Sequence, residues 1–189
     1  SAQRACNGAA MTMTDPAPPL TPEDFRTATD VSRETLAQLE IYVTLLKKWQ
    51  RAINLVSRAS LADVWRRHML DSAQLISMAP ASAETWIDMG SGAGFPGLVL
   101  AIMGAGDIHL IESDGRKCAF LHEVARQTNT PVQIHNCRIE DFTETPQFPP
   151  KVDVVTARAL AATNVLLELA QPIASQDTVC LFQKGQDVD

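Results

Sequence analysis

Long apolar segments are missing from this chain of 189 residues. The longest apolar run, over residues 95–105, contains proline and glycine and is shorter than the roughly 18–20 residues that a membrane-spanning helix needs. Residues 1–20 lack the apolar centre of a secretory signal peptide. We therefore expect a cytoplasmic protein that has no membrane partner.

Cysteine is scarce, and its spacing excludes two classes of small domain. The four cysteines, Cys6, Cys118, Cys137 and Cys180, form no C-x-x-C pair, which argues against a zinc ribbon and against a disulfide scaffold. Cys118 and His122 would share one face of a helix, but two ligands do not complete a structural zinc site. We predict no metal centre and a reducing environment.

Basic residues are too few to balance the acidic ones, and the formal net charge is −6. An acidic chain is not a typical nucleic-acid binder, but the charge is unevenly distributed. Six basic residues against a single acid, Asp63, stand between residues 47 and 67: Lys47, Lys48, Arg51, Arg58, Arg66 and Arg67. Because screening limits each charge to about 8–10 Å, such a patch can bind RNA phosphates on an acidic protein. A solvated helix face is the alternative.

The chain divides into three parts by composition. Residues 1–23 are rich in proline, alanine and threonine and predict a flexible leader without regular helix. Residues 24–80 predict a helical region, with one helix from an N-cap at Ser32 to about Arg51 and another over about Ser60 to Met78. Residues 81–189 predict a catalytic core.

Strands and helices alternate in that core. Apolar runs predict strands over residues 85–89, 108–111, 131–137, 152–156 and 178–183, and helices from Leu98 and over residues 115–127 and 163–174. Alternation of this kind indicates right-handed crossovers and a mainly parallel sheet. The predicted fold class is therefore α/β, doubly wound and Rossmann-like, with an N-terminal helical extension.

A glycine-rich turn over residues 90–97 follows the first strand and precedes a helix. In open α/β sheets the ligand binds outside the carboxyl ends of the strands, where this turn lies. Glu112 ends the next strand and can accept hydrogen bonds from both hydroxyls of a ribose. A nucleotide-containing cofactor is the expected ligand.

Two details favour S-adenosylmethionine over NAD. Asp88 stands two residues before Gly90, where a carboxylate suits the cationic ammonium of S-adenosylmethionine better than a pyrophosphate. The turn continues as Gly-Phe-Pro-Gly, which is not a dinucleotide fingerprint. After the third strand, Ile139 and Glu140 can flank and hydrogen-bond an adenine, although Glu140 could equally be a helix-start carboxylate. Arg158 at the fourth strand tip is a further candidate, the alternative being a surface ion pair.

Several motifs occur together in the order seen in one family, and the chain resembles that family over about residues 32–186. They are Asn54-Leu55-Val56-Ser57, Arg67-His68-Met69-Leu70-Asp71-Ser72, Ile87 to Gly97, Arg138-Ile139-Glu140, Arg158-Ala159 and Lys184-Gly185. The family is RsmG, also called GidB, which methylates guanine N7 in bacterial 16S ribosomal RNA. The resemblance implies S-adenosylmethionine as cofactor and 16S ribosomal RNA or the small ribosomal subunit as partner.

The resemblance also implies roles for single residues. Cofactor contacts are expected from Gly90, Phe95, Ile139, Glu140 and Arg158, and by position in the fold from Asp88, Ser91, Gly92, Gly94 and Glu112. Asn54, Arg67, His68, Asp71 and Ser72 would face the RNA or form the pocket rim, or instead join the helical region to the sheet. His68 could equally be a structural hydrogen-bonding residue. No residue is assigned as catalytic, although Arg158 could orient the substrate.

The expected chemistry needs no general base, because guanine N7 carries a free lone pair. The motifs of base-amine and cytosine carbon-5 methylation are both missing from the sequence.

The family continues past Lys184-Gly185 by about one hairpin, so an exposed sheet edge is expected here. We expect a monomer. Two alternatives stay open: an NAD-linked oxidoreductase and a non-catalytic RNA-binding assembly factor.

Overall fold

The computed structural model describes residues 18–158 and 160–184. Most of the predicted leader (residues 1–17), Ala159 of one family motif and Gly185 of another lie outside the described residues.

The described chain begins with two capped helices, α1 (Pro22–Thr29) and α2 (Arg33–Trp49). Thr21 and Asp24 form a reciprocal capping box at the start of α1, with Pro22 as the first helical residue. The prediction that residues 1–23 contain no helix is therefore wrong at its last residues, because a first-turn proline has no N–H to lose and its φ suits a helix. Ser32 caps α2 as predicted.

The second predicted helix is broken into several short pieces. They are α3 (Arg58–Ala62), a π-helical segment (Trp65–Leu70), α4 (Asp71–Ala73) and α5 (Leu75–Met78). In the π-helical segment the backbone N–H of Asp71 reaches back to the carbonyl of Arg66. Wider turns of this kind are rare and frequently occur at functional sites.

The sheet has five parallel strands in the order β3-β2-β1-β4-β5 among the described residues. The strands are β1 (Thr85–Met89), β2 (Asp107–Ile111), β3 (Gln133–His135), β4 (Val154–Arg158) and β5 (Val179–Gln183). The central strand, β1, pairs with β2 on one side and with β4 on the other. All five predicted strands form; β1 has the predicted bounds and the other four have shifted bounds.

Helices cover both faces of the sheet. They are α6 (Gly97–Ile102), α7 (Gly115–Thr128), α8 (Ile139–Phe142) and α9 (Thr163–Ala170). Alternate strand residues point to opposite faces, so Trp86 and Ile108 join one apolar core with α2, α6 and α7, whereas Ile87 and Ile111 join the other with α9. The helical extension therefore packs on one face of the sheet. Within the described chain no helix is both long and apolar enough to cross a membrane.

Candidate active site

A cavity of about 740 Å³ opens at the carboxyl ends of the strands. Its walls come from the glycine-rich loop, the tips of β2 and β4, the segment around α8, and the π-helical segment. Of the residues predicted from the sequence, it is lined by Gly90, Ser91, Gly92, Phe95, Glu112, Ile139, Glu140, Arg158, Arg67, His68 and Asp71. Residues from four separate motifs therefore meet around one space.

The glycine-rich loop has a backbone conformation that favours glycine at two of its positions. Gly90 and Gly92 have φ values of +63° and +56°, in the left-handed region that favours glycine. The backbone N–H of Ser91 donates to the carbonyl of Ile111 at 2.9 Å, which ties the loop to the end of β2. A Cβ at Gly90 would lie 2.6 Å from Leu160 Cδ1, so the Leu160 side chain would have to shift to admit one.

Glu112 holds this loop from the neighbouring strand while facing the cavity. Its Oε2 accepts from the backbone N–H of Gly92 and its Oε1 from that of Asp114, each at 2.8 Å. The residue is only 7% exposed. Each carboxylate oxygen still has a second lone pair, so Glu112 can hold the loop and accept hydrogen bonds from a ligand.

Asp88 and Gly94 lie behind the cavity wall, and neither lines it. The direct contact between Asp88 and the cationic end of the cofactor therefore stays a prediction, and the carboxylate is engaged within the protein. Asp88 is 1% exposed; its Oδ1 accepts from Thr156 Oγ1 at 2.7 Å and its Oδ2 from the N–H of Gly97 at 3.4 Å. It is a positioning residue that joins β1, β4 and the start of α6.

Burial raises the pKa of Asp88 to about 6, although hydrogen bonds from Thr156 and Gly97 favour the carboxylate and partly oppose this effect. The pKa in the unfolded chain is lower, at 3.8, so the folded state binds the proton more tightly. Its contribution to stability is complete below pH 3.8 and is lost as the pH rises through about 6.

We expect this group to lower the free energy of unfolding by about 3 kcal/mol between pH 3.8 and pH 7.5, at ~1.4 kcal/mol per pKa unit. The substitution Asp88→Asn should remove that part of the pH dependence. Urea unfolding of the variant and the parent at several pH values measures the difference. Asp153→Asn is the control, because hydrogen bonds from Lys151, Glu84 and Thr85 lower the pKa of Asp153 to about 2, outside this window. Parallel pH profiles for Asp88→Asn and the parent would contradict the expectation.

The helical extension supports the loop from outside. The hydroxyl of Tyr42 donates to the carbonyl of Ala93, and its ring stacks on Phe95 at a centroid distance of 5.1 Å. A Cβ at Gly94, where φ is +92°, would lie 2.7 Å from the Tyr42 hydroxyl oxygen. The loop conformation therefore depends on α2.

Phe95 is also the centre of a polar and aromatic cluster at the cavity wall. The ring of His68 stacks on it at 4.7 Å, and the Arg158 guanidinium carbon lies 4.8 Å from its centroid. Arg158 Nη1 donates to the carbonyl of Arg67 at 3.3 Å. Burial, with Arg158 and Arg67 nearby, lowers the pKa of His68 to about 3, so its ring is neutral at pH 7.

The basic residues predicted to bind RNA are not equivalent. Lys47, Lys48, Arg51 and Arg58 are exposed and do not line the cavity. Arg66 is committed within the protein, since it pairs with Asp63 at 3.0 Å and donates to the carbonyl of Pro18 at 2.8 Å. Part of its guanidinium is therefore already engaged, although the side chain is 40% exposed, and its contact with RNA stays a prediction.

The other polar residues of these motifs lie in different environments. Asn54 is exposed and accepts from Gln50 Nε2 at 3.2 Å. Ser72 is fully buried, and its hydroxyl has no hydrogen-bond partner among the described residues. Sequence reasoning missed three cations that line the cavity, Lys117, Arg138 and Lys184. Arg138 stands three residues after the end of β3 and Lys184 directly follows β5, so their place near strand ends was the available signal.

No set of three or more metal-ligating side chains exists in the part of the chain that the structure describes.

Comparison with known proteins points to one family. Residues 35–189 match GidB, described as rRNA small subunit methyltransferase G. The protein of that name from Rhodospirillum rubrum is 53% identical over 170 residues, which are 90% of this chain and 82% of the relative. The one from Paramagnetospirillum magneticum is 54% identical over 168 residues, covering 89% of this chain and 80% of the relative.

A solved structure supports the fold alone. It is a candidate S-adenosylmethionine-dependent methyltransferase from Methanococcus maripaludis, with a TM-score of 0.51 and 13% identity over 93% of this chain and 68% of that one. The expected Rossmann-like methyltransferase fold and the expected cofactor, S-adenosylmethionine, are confirmed, and the oxidoreductase and assembly-factor alternatives are not favoured. The resemblance noted in the sequence is correct as well: the chain belongs to the GidB family of rRNA small subunit methyltransferase G.

Proposed function

We propose that this protein transfers a methyl group from S-adenosylmethionine to N7 of a guanine in 16S ribosomal RNA of the small subunit, in the cytoplasm. The observation that carries the proposal is the single cavity shared by the glycine-rich loop and the π-helical segment. A cofactor held by the loop and a base held by the helical segment would meet there.

The cavity has donors and acceptors that fit the cofactor. Glu112 would accept hydrogen bonds from the ribose hydroxyls, while Ile139 and Glu140 would hold the adenine from the α8 side. Arg158 is largely buried and would bind the carboxylate of the methionine part of the cofactor. The bound cofactor supplies an electrophilic methyl group on a sulfonium. Gly90 and Gly92 leave space for a ligand to approach the main chain.

The residues around the acceptor position orient a base and exclude water, and they need not remove a proton. Guanine N7 carries its lone pair at neutral pH, so positioning of the base supplies most of the catalysis. Phe95 and neutral His68 provide a stacked aromatic wall, and Arg158 provides a fixed cation beside it. Rigid packing of Phe95 between the loop and α2 keeps this wall in place.

The test is methylation of small-subunit RNA from a bacterium that lacks its own enzyme of this family. The purified chain is incubated with tritiated S-adenosylmethionine and either naked 16S RNA or intact small subunits. We expect label in 7-methylguanosine at a single position, which strand cleavage after borohydride reduction and aniline treatment locates. Label in a base amine or a ribose hydroxyl would contradict the proposal, and the two substrates distinguish naked RNA from assembled subunits.

The exposed basic residues at the end of α2 should bind RNA phosphates. We expect Lys48→Gln combined with Arg51→Gln to reduce the slope of log K against log salt by about 2, or about 1 per lost contact. Affinity for S-adenosylmethionine should not change, because neither residue lines the cavity. RNA binding measured at four or more salt concentrations gives the slope.

The control for this measurement is Lys151→Gln. Lys151 is exposed and pairs with Asp153 at 2.6 Å, just before β4 and so at the edge of the sheet opposite the cavity. An unchanged slope in the double variant, or an equal change in the control, would count against the α2 surface as the RNA contact.

A further inference from the structure

We infer that Asp71 selects guanine as the target base by accepting hydrogen bonds from its N1–H and its 2-amino group. The inference rests on the proposed function and concerns the same cavity. The family resemblance placed Asp71 only at the pocket rim or facing the RNA and gave it no specific role.

The carboxylate of Asp71 is available to a ligand. Asp71 lines the cavity and is half-buried. Its backbone carbonyl accepts from Gln183 Nε2 at 2.6 Å, which fixes the residue against the end of β5. Within residues 18–158 and 160–184, by contrast, its carboxylate oxygens have no hydrogen-bond or salt-bridge partner. Asp71 is therefore a residue with a fixed backbone whose carboxylate is open to a ligand in the cavity.

A second polar group beside it also lacks a partner. Neither ring nitrogen of His68 has a hydrogen-bond partner among the described residues, although His68 is only 6% exposed and borders the same cavity. His68 precedes Asp71 by three residues, and both residues line the same cavity. Buried polar groups without partners are rare in proteins and point to a ligand or water that completes them.

The pair presents a pattern that matches guanine and opposes adenine. Guanine offers the O6 acceptor next to the N1–H and 2-amino donors. A neutral imidazole can donate to O6, and a carboxylate can accept from both donors. Adenine has an amino group where guanine has O6 and an unprotonated N1, whose lone pair would face the carboxylate. Specificity would therefore come from repulsion of adenine as well as attraction of guanine.

The fixed negative charge also suits the reaction. When guanine N7 forms its bond to the methyl carbon, the carbon–sulfur bond breaks, its electron pair stays on sulfur, and the positive charge passes to the purine. A carboxylate beside the purine stabilises that charge as it develops. Arg158 lies close enough to Asp71 for their charges to interact.

The experiment compares guanosine with inosine, which lacks only the 2-amino group. Synthetic RNA segments carrying either base at the mapped position are ligated into the small-subunit RNA. Methyl transfer to each is measured with the parent chain, with Asp71→Asn and with the control Asp177→Asn, whose carboxylate is exposed next to the amino end of β5. Affinity for S-adenosylmethionine is measured in parallel by calorimetry.

We expect the parent and Asp177→Asn to prefer guanosine over inosine by about 10- to 100-fold in kcat/KM, the value of a charge-assisted hydrogen bond. Asp71→Asn should lower kcat/KM on guanosine by a similar factor and reduce the preference to about threefold or less, with cofactor affinity unchanged. An unchanged preference in Asp71→Asn, or a loss confined to cofactor affinity, would overturn the inference and leave the proposed function standing. A parent enzyme that methylates an atom other than N7 would overturn both.

Discussion

Replacement of Gly97 by alanine should abolish detectable cofactor binding and lower the free energy of unfolding by about 3 kcal/mol, the upper part of the usual range for overpacking. A Cβ at Gly97 would lie 2.4 Å from Leu110 Cδ2 and 2.8 Å from Asp88 Oδ2. Leu110 and Asp88 are themselves buried in the sheet and cannot move away without disturbing β1 or β2. Because Gly97 begins α6 directly after the loop, its displacement would carry the loop with it.

Gly115→Ala is the matched control for this substitution. Gly115 also begins a helix that follows a strand, but the atom nearest to its added Cβ is Asn136 Oδ1 at 3.5 Å, an ordinary contact. We expect the control to keep both its stability and its affinity for S-adenosylmethionine. Chemical unfolding and calorimetric titration measure the two quantities. A Gly97→Ala protein with normal cofactor affinity would show that the loop does not depend on the close packing of α6 against β1.

The second large effect is expected for Phe95→Ala. This side chain is 4% exposed and is packed by Tyr42, His68 and Arg158. Its removal should lower the free energy of unfolding by about 3–5 kcal/mol, as is usual for a buried phenylalanine. It should also reduce methyl transfer by at least about 100-fold, because a misplacement of about 1 Å near the reacting groups is enough for such a loss.

Phe25→Ala is the control that distinguishes the loss of stability from the loss of methyl transfer. Phe25 is fully buried against Trp65 and does not line the cavity. A similar loss of stability is expected, but methyl transfer should persist at temperatures where the variant remains folded. Circular dichroism sets that temperature and tritium incorporation measures the transfer. If both variants lost activity to the same extent, general destabilisation would explain the effect and Phe95 would have no positioning role.

The glycine-rich loop and Glu112 were predictable because their signals are local. A strand, a run of glycines with positive φ, a helix and an acid after the next strand all stand within about thirty residues, and their meeting follows from the usual position of ligands in parallel sheets. The helical stripe of α2 was predictable for the same reason, since its apolar spacing is complete within one segment.

The interactions that sequence reasoning did not foresee depend on distant partners. Asp88 seemed free to meet a ligand, but its carboxylate is held by Thr156, 68 residues later. Arg66 seemed free to meet RNA, but its guanidinium is held by Asp63 and by Pro18, 48 residues earlier. The break of the second helix at the π-helical segment carries no local signal of proline or glycine, and α8 is too short, at four residues, for periodicity to show it.

The hydrogen bond from Thr156 to Asp88 also has a consequence for synthesis of the chain. A ribosome releases β1 and the glycine-rich loop well before β4, so in a nascent chain the carboxylate of Asp88 lacks its hydroxyl partner. Water solvates that carboxylate until β4 inserts beside β1. The nascent cofactor pocket therefore stays incomplete until the fourth strand leaves the exit tunnel, and an arrested fragment ending before residue 154 should neither bind S-adenosylmethionine nor resist proteolysis in its loop.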